Sequence, residues 1–157
     1  MSHVASIEFE GRELPLLKRA VRKRGGDWRE GQTTHAWWGN FLGDSQGMRN
    51  SAYDQGFDPE TYGTCTHAIG IPGQPGQNGS SGPWEIGVVV NPDGTFRLQY
   101  DNYGSAGHAL EALFGKDLAG LKDTYLAEIS LDQLQQDGYR LTETTTPDGA
   151  IELVATR

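Results

Sequence analysis

A single cysteine leaves this 157-residue chain with no internal disulfide and no structural zinc site built from several thiolates, which fits a reducing compartment. No apolar run approaches a membrane span, and Met1 to Glu10 lacks the apolar core of a signal peptide. The chain is therefore expected in the cytoplasm and off the membrane. Positive charge is scarce as well, with 13 Lys and Arg against 21 Asp and Glu and a net charge of -8. That deficit opposes general nucleic-acid binding, which needs a basic footprint to release counterions. Glycine is in excess instead, at 22 residues, so a substantial part of the chain must be loop. The length suits a single domain, residues 1–157, able to bury a core without staples.

The apolar pattern alternates through His3, Ala5, Ile7 and Phe9, as in a half-buried strand. From Glu13 to Arg24, Leu14, Leu17 and Val21 recur at helical spacing, with Pro15 tolerated in the first turn and Gly25-Gly26 as the stop. Thr33 to Trp38 suits a strand returning beside the first. The region around residues 39–83 is rich in Gly, Asn, Gln, Ser, Asp and Pro, with one short strand over Cys65 to Ile71. Loops of that length in a compact domain are either functional or disordered. Within it, Gly73 to Gly82 offers few apolar side chains to offset the entropy of ordering, so it is expected to be dispensable for folding.

Trp84, Ile86, Val88 and Val90 alternate into Asn91-Pro92-Asp93-Gly94, and Phe96, Leu98 and Tyr100 alternate out of it, which predicts a hairpin. Pro147-Asp148-Gly149 predicts a second one, with Ile151 and Leu153 expected in the core beside Phe96 and Leu98. Between the hairpins, Ser105 could cap a helix burying Leu110, Leu113 and Phe114. Leu118, Leu121, Tyr125 and Ile129 form a second stripe ending near Gly138, where Ser130 and Gln133 could restart the helix as a capping box. The fold class that follows is two-layer α+β, a mainly antiparallel sheet with helices on one face, and a ferredoxin-like arrangement is the nearest named form.

The candidate chemistry is sparse. Cys65 and His67, with His3, His35 and His108, are the soft ligands, but their spacing lacks the paired pattern of a zinc site and names no cofactor. His3, Cys65 and His67 could instead converge at the rim of one pocket, with Trp37 or Trp38 as its wall, either as a thiol activated by imidazole or as three metal positions. Adjacent Trp37 and Trp38 on a strand face opposite sides, so one belongs in the core and the other in a groove or partner surface. Lys18, Arg19, Arg22 and Lys23 crowd the first helix, which leaves a solvated basic face or a contact with an acidic partner both open. The glycines at 70–79 match no nucleotide fingerprint, since no helix follows them.

Several segments together carry a resemblance: Met1-Ser2-His3, Trp37-Trp38-Gly39, Cys65-Thr66-His67-Ala68-Ile69, Trp84-Glu85-Ile86-Gly87-Val88-Val89 and Asp148-Gly149-Ala150-Ile151-Glu152-Leu153. Over most of its length the chain resembles the uncharacterised family called hypothetical chloroplast reading frame thirty-five, although Gly73 to Gly82 is longer here. The resemblance implies relatives in plastids, cyanobacteria and other bacteria, sometimes encoded near ferredoxin-like and AAA-type ATPase genes, and no established activity. A protein partner of the ATPase kind is what it implies. The reading is therefore a soluble binding or adaptor protein that makes a protein or small-ligand contact. The alternative is a small enzyme or metal-binding protein using His3, Cys65 and His67.

Overall fold

The computed structural model describes residues 4–39 and 61–157. In chain order they form β1 (Val4–Gly11), α1 (Leu14–Lys23), β2 (Asp27–Arg29), β3 (His67–Gly70), β4 (Ile86–Val90), β5 (Phe96–Asp101), α2 (Gly104–Phe114), a short 3-10 turn (Lys116–Leu118), α3 (Ala119–Gln136), β6 (Arg140–Thr145) and β7 (Ile151–Thr156). The fold is mixed α+β.

The first hairpin closes as its turn residues dictate: Asn91 N donates to Thr95 O at 2.7 Å and the Asp93 carboxylate accepts from Thr95 N. With the register set there, Val88 lies opposite Leu98 and Gly87 opposite Gln99. Ile86, Val88, Phe96, Leu98 and Tyr100 consequently share one sheet face, and all are buried. Leu17 and Val21 of α1, Leu110 and Phe114 of α2, and Leu121 and Tyr125 of α3 pack onto that face to form the core. Both helical segments thus cover the same side. Leu118, at the junction of the helices, adopts a left-handed backbone (φ 58°) that β-carbon sterics disfavour, and complete burial of its side chain offsets that cost.

The sheet order is β1-β5-β4-β3-β2, and each of these neighbouring pairs is antiparallel. The neighbour of β1 is β5, not a return strand at Thr33 to Trp38. That segment makes only an isolated bridge, Thr34 with Thr64, because its backbone bonds go to residues 63 and 65 and to Glu85 rather than to β1.

The second Pro-Asp-Gly hairpin forms with the same closure as the first, Thr146 N donating to Ala150 O at 2.8 Å. It does not join the main sheet. β6 and β7 make a separate ribbon, and β6 meets α3 and, through the Lys23–Glu143 pair, α1. Ile151 is 47% exposed and Leu153 only half-buried, which corrects the expectation that both belong to the core. The turn code is local and sets register, whereas burial depends on which surface the ribbon meets. Two smaller corrections concern the helices. Tyr103, not Ser105, stands at the cap position of α2, and α3 runs through Ser130, whose hydroxyl donates to Leu126 O instead of capping a new helix.

Candidate functional site

The opposite face of the main sheet is where polar groups are buried. Alternation in β5 sends Gln99 and Asp101 to that side, and the residue preceding β4, Glu85, joins them. Irregular chain at residues 33–38 and 61–64 covers this face: His35 N donates to Gly63 O and Cys65 N to Thr33 O. Gln99 finds its partners in this coat. The Gln99 amide nitrogen lies 3.2 Å from His35 Nε2 and donates to Thr64 O. With that amide donating, the imidazole is neutral and carries its proton on Nδ1. Burial pulls the His35 pKa down to about 4, an effect that the Ala36 and Glu85 backbone and the Glu85 charge only partly oppose. A side chain at position 87 would overlap the His35 ring, so Gly87 is what lets the ring lie on the strand.

Glu85 is the centre of the arrangement. Its carboxylate pairs with the Arg29 guanidinium, accepts from Gln32 Nε2 at 3.0 Å on both oxygens and accepts from Ala36 N at 2.9 Å. Arg29 also donates to the Asp27 carboxylate at 3.2 Å, to Ile71 O at 3.1 Å and to Gln74 O at 2.7 Å. One ion pair therefore ties β2, the 32–36 segment, the start of β4 and the 71–76 loop together. Any side chain at position 76 would overlap the Glu85 carboxylate, so glycine is required for the loop to close over it.

These elements enclose an open cavity of about 840 Å³, walled by Asp27, Arg29, Gln32, Thr34, His35, Ala36, Glu85 and residues 73–78. The glycine-rich loop is one of its walls. Its anchors are Asn78 Oδ1 accepting from Trp37 N at 3.0 Å, Gly79 N donating to Trp37 O at 3.1 Å and Trp84 Nε1 donating to Gly79 O at 2.7 Å. Gly73 to Gly82 is thus held by polar contacts in place of the apolar ones it lacks, which argues against its being dispensable.

Of the residues singled out from the sequence, His3 lies outside the described residues, as does the 40–60 part of the loop region. Cys65 and His67 are committed to different partners. Cys65 Sγ donates to Gln32 O at 3.2 Å, and burial with the Glu85 charge pushes its pKa up to about 12, so the thiol is protonated at neutral pH. His67 Nδ1 accepts from Gly31 N at 3.0 Å, and its ring lies 5.3 Å from that of Trp28. Among the described residues no set of three His, Cys, Asp or Glu side chains could hold a metal ion.

Trp37 is buried and meets Tyr62 edge-on at 4.6 Å on the polar face; Trp38 is half-buried and lies against Trp84 and Tyr103 at the margin of the core. The basic face of α1 is largely paired within the chain. Lys18 reaches Glu30 at 3.2 Å, Arg19 reaches Glu128 at 3.5 Å, and Lys23 contacts both Glu128 and Glu143, while Arg22 takes no part in these pairs. Burial opposes the charge on Lys23, yet the two carboxylates outweigh it and hold its pKa above the ordinary value.

Asp27, Arg29, Gln32 and Glu85 were not evident from spacing, because β2, the 32–36 segment and the entry of β4 meet only in the folded chain. One signal was present: Glu85 sits between Trp84 and Ile86 at the entry of an apolar strand, where a carboxylate must find a cation or several donors. Comparison with protein-family models, with curated proteins and with solved structures gave no match.

Proposed function

We propose that the chain is a cytoplasmic binding or adaptor protein, of the reading-frame-thirty-five kind, whose site is the polar cleft over the Arg29–Glu85 pair. The observation that carries this reading is the saturation of that pair. Arg29 spends its donors on Asp27, Glu85, Ile71 O and Gln74 O, and Glu85 accepts from Arg29, Gln32 and Ala36, so neither serves as a free anion receptor or proton-transfer group. Beside the half-exposed Asp27 carboxylate, which is paired with Arg29, the groups left at the rim are uncharged: Thr34, Gln74, Gln77 and the Asn78 amide nitrogen, all on exposed residues. No Trp, Tyr or Phe ring lines the cleft, and the His35 imidazole in its wall is buried, so it offers no open stacking platform for a sugar or a base. Amide and hydroxyl groups that both donate and accept suit the backbone of an uncharged, extended polypeptide segment.

Calorimetric titration with short uncharged peptides, set against inorganic phosphate, tests the proposal. Peptide binding that is lost in Thr34→Trp, which fills the rim without touching Arg29 or Glu85, is the expected result. Binding of phosphate, or peptide binding unaffected by Thr34→Trp, would overturn it.

A further inference from the structure

The β6–β7 ribbon has an open edge. We infer that β7 pairs antiparallel with β7 of a second copy of this chain, forming a four-stranded sheet across a two-fold axis. The closing bond from Thr146 N to Ala150 O fixes which backbone groups face outward. Hydrogen-bonded pairs recur at every second residue, so Glu152, Val154 and Thr156 bond inward to Thr144, Thr142 and Arg140. Ile151, Leu153 and Ala155 therefore direct their N–H and C=O groups away from β6. Among the described strands β7 pairs with β6 alone, and every residue of β7 except Leu153 is exposed.

Of the devices that block strand addition, that edge carries only one charged side chain, Glu152. Its register runs from Thr145–Ile151 to Arg140–Thr156 with no bulge, and β7 contains neither proline nor lysine. Its apolar side chains are unprotected, with Ile151 47% and Val154 45% exposed. A two-stranded ribbon is marginal by itself and gains from further strands.

The sequence of β7 also fits its own copy. Outward-facing residues must pair with outward-facing residues, and a register centred on Val154 satisfies this. It sets Leu153 opposite Ala155 of the copy, Glu152 opposite Thr156 and Ile151 opposite Arg157, so neither charge meets its own kind. Val154 then faces its counterpart on the axis in a non-hydrogen-bonded pair, the closer kind. An antiparallel strand paired with itself is two-fold symmetric and closes, which favours a second copy over an open chain of strands. The net charge of -8 on each copy opposes association, so added salt should strengthen it.

Light scattering after gel filtration, at low and at high salt, reads the result directly. The wild-type chain is expected near twice its mass of 17.1 kDa, more completely at high salt, and Val154→Arg, which sets two arginines on the axis, at the single-chain mass. Position 154 lies outside the core, and an unchanged melting curve confirms that the variant is folded. Independently, Cys65→Ser/Val154→Cys should oxidise to a covalent dimer while Cys65→Ser/Thr142→Cys, whose cysteine lies on the inner strand, should not. A wild-type chain of single mass at its highest soluble concentration, or equal cross-linking from both cysteines, would overturn the inference.

Discussion

Replacing Glu85 with alanine removes the group on which the cleft is assembled, and the structure sets the size of the loss. The Glu85 side chain is 4% exposed and that of Arg29 16%, so truncation leaves a guanidinium mostly inside the protein with Asp27, itself 48% exposed, as its remaining charged partner. Breaking such a pair from one side costs about 3–5 kcal/mol. The Ala36 N–H also loses its acceptor, a penalty of about 1–3 kcal/mol that overlaps with the first rather than adding in full. A total of about 4 kcal/mol corresponds to a fall in Tm of roughly 8–16 °C for a chain of this size. Calorimetry measures it, and hydrogen exchange should show residues 71–78 opening, since Arg29 loses the carboxylate that orients it toward Ile71 O and Gln74 O. The double variant Arg29→Met/Glu85→Met should be less destabilised than the sum of its parts, because no charge is then left buried. A loss below about 1 kcal/mol for Glu85→Ala, or additive single and double variants, would refute the reasoning.

Leu98 is wholly buried in the core, so Leu98→Ala should cost about 2–5 kcal/mol in denaturant titration, whereas Leu153→Ala on the half-exposed ribbon should cost less than about 1 kcal/mol. Exchanging Gly73 to Gly82 for a short Gly-Ser link should lower stability by about 2 kcal/mol or more, since the anchors to Trp37, Trp84 and Arg29 go with it; an unchanged melting curve would show that the loop is not a structural wall. His35 has a folded pKa of about 4 against an ordinary value of 6.5, so the unfolded chain binds the extra proton first. Stability from this group is complete above pH 6.5 and is lost as the pH falls toward 4, on the order of 3 kcal/mol in all. His35→Gln should flatten that part of the stability–pH curve, and an unaltered slope would exclude His35 as its source.

The two Pro-Asp-Gly turns show what the sequence could and could not convey. Each turn is coded by a few adjacent residues, and both close as expected, at Asn91–Thr95 and Thr146–Ala150. Where the strands then go is not coded locally. Phe96 and Leu98 lie under the helices, whereas Ile151 faces outward, because burial depends on surfaces far apart in the chain. Helix α1 was equally legible, with Pro15 in its first turn and its stop at Gly25. The cleft was not, since Asp27, Gln32, Gly76 and Glu85 meet only after the sheet and its polar coat have formed. Cysteine and histidine drew notice by their chemistry alone, yet Cys65 and His67 are each committed to a backbone partner.

The most direct measurement of the central claim is residue-resolved NMR of the wild-type chain titrated with an uncharged extended peptide. The account predicts shift changes that saturate and cluster at Gln32, Thr34, Gln74, Gln77 and Asn78, with the ribbon at Ile151 to Thr156 unmoved. Saturating changes centred on Cys65 and His67, or on the exposed side chains of α1, with the cleft resonances unmoved, would contradict it.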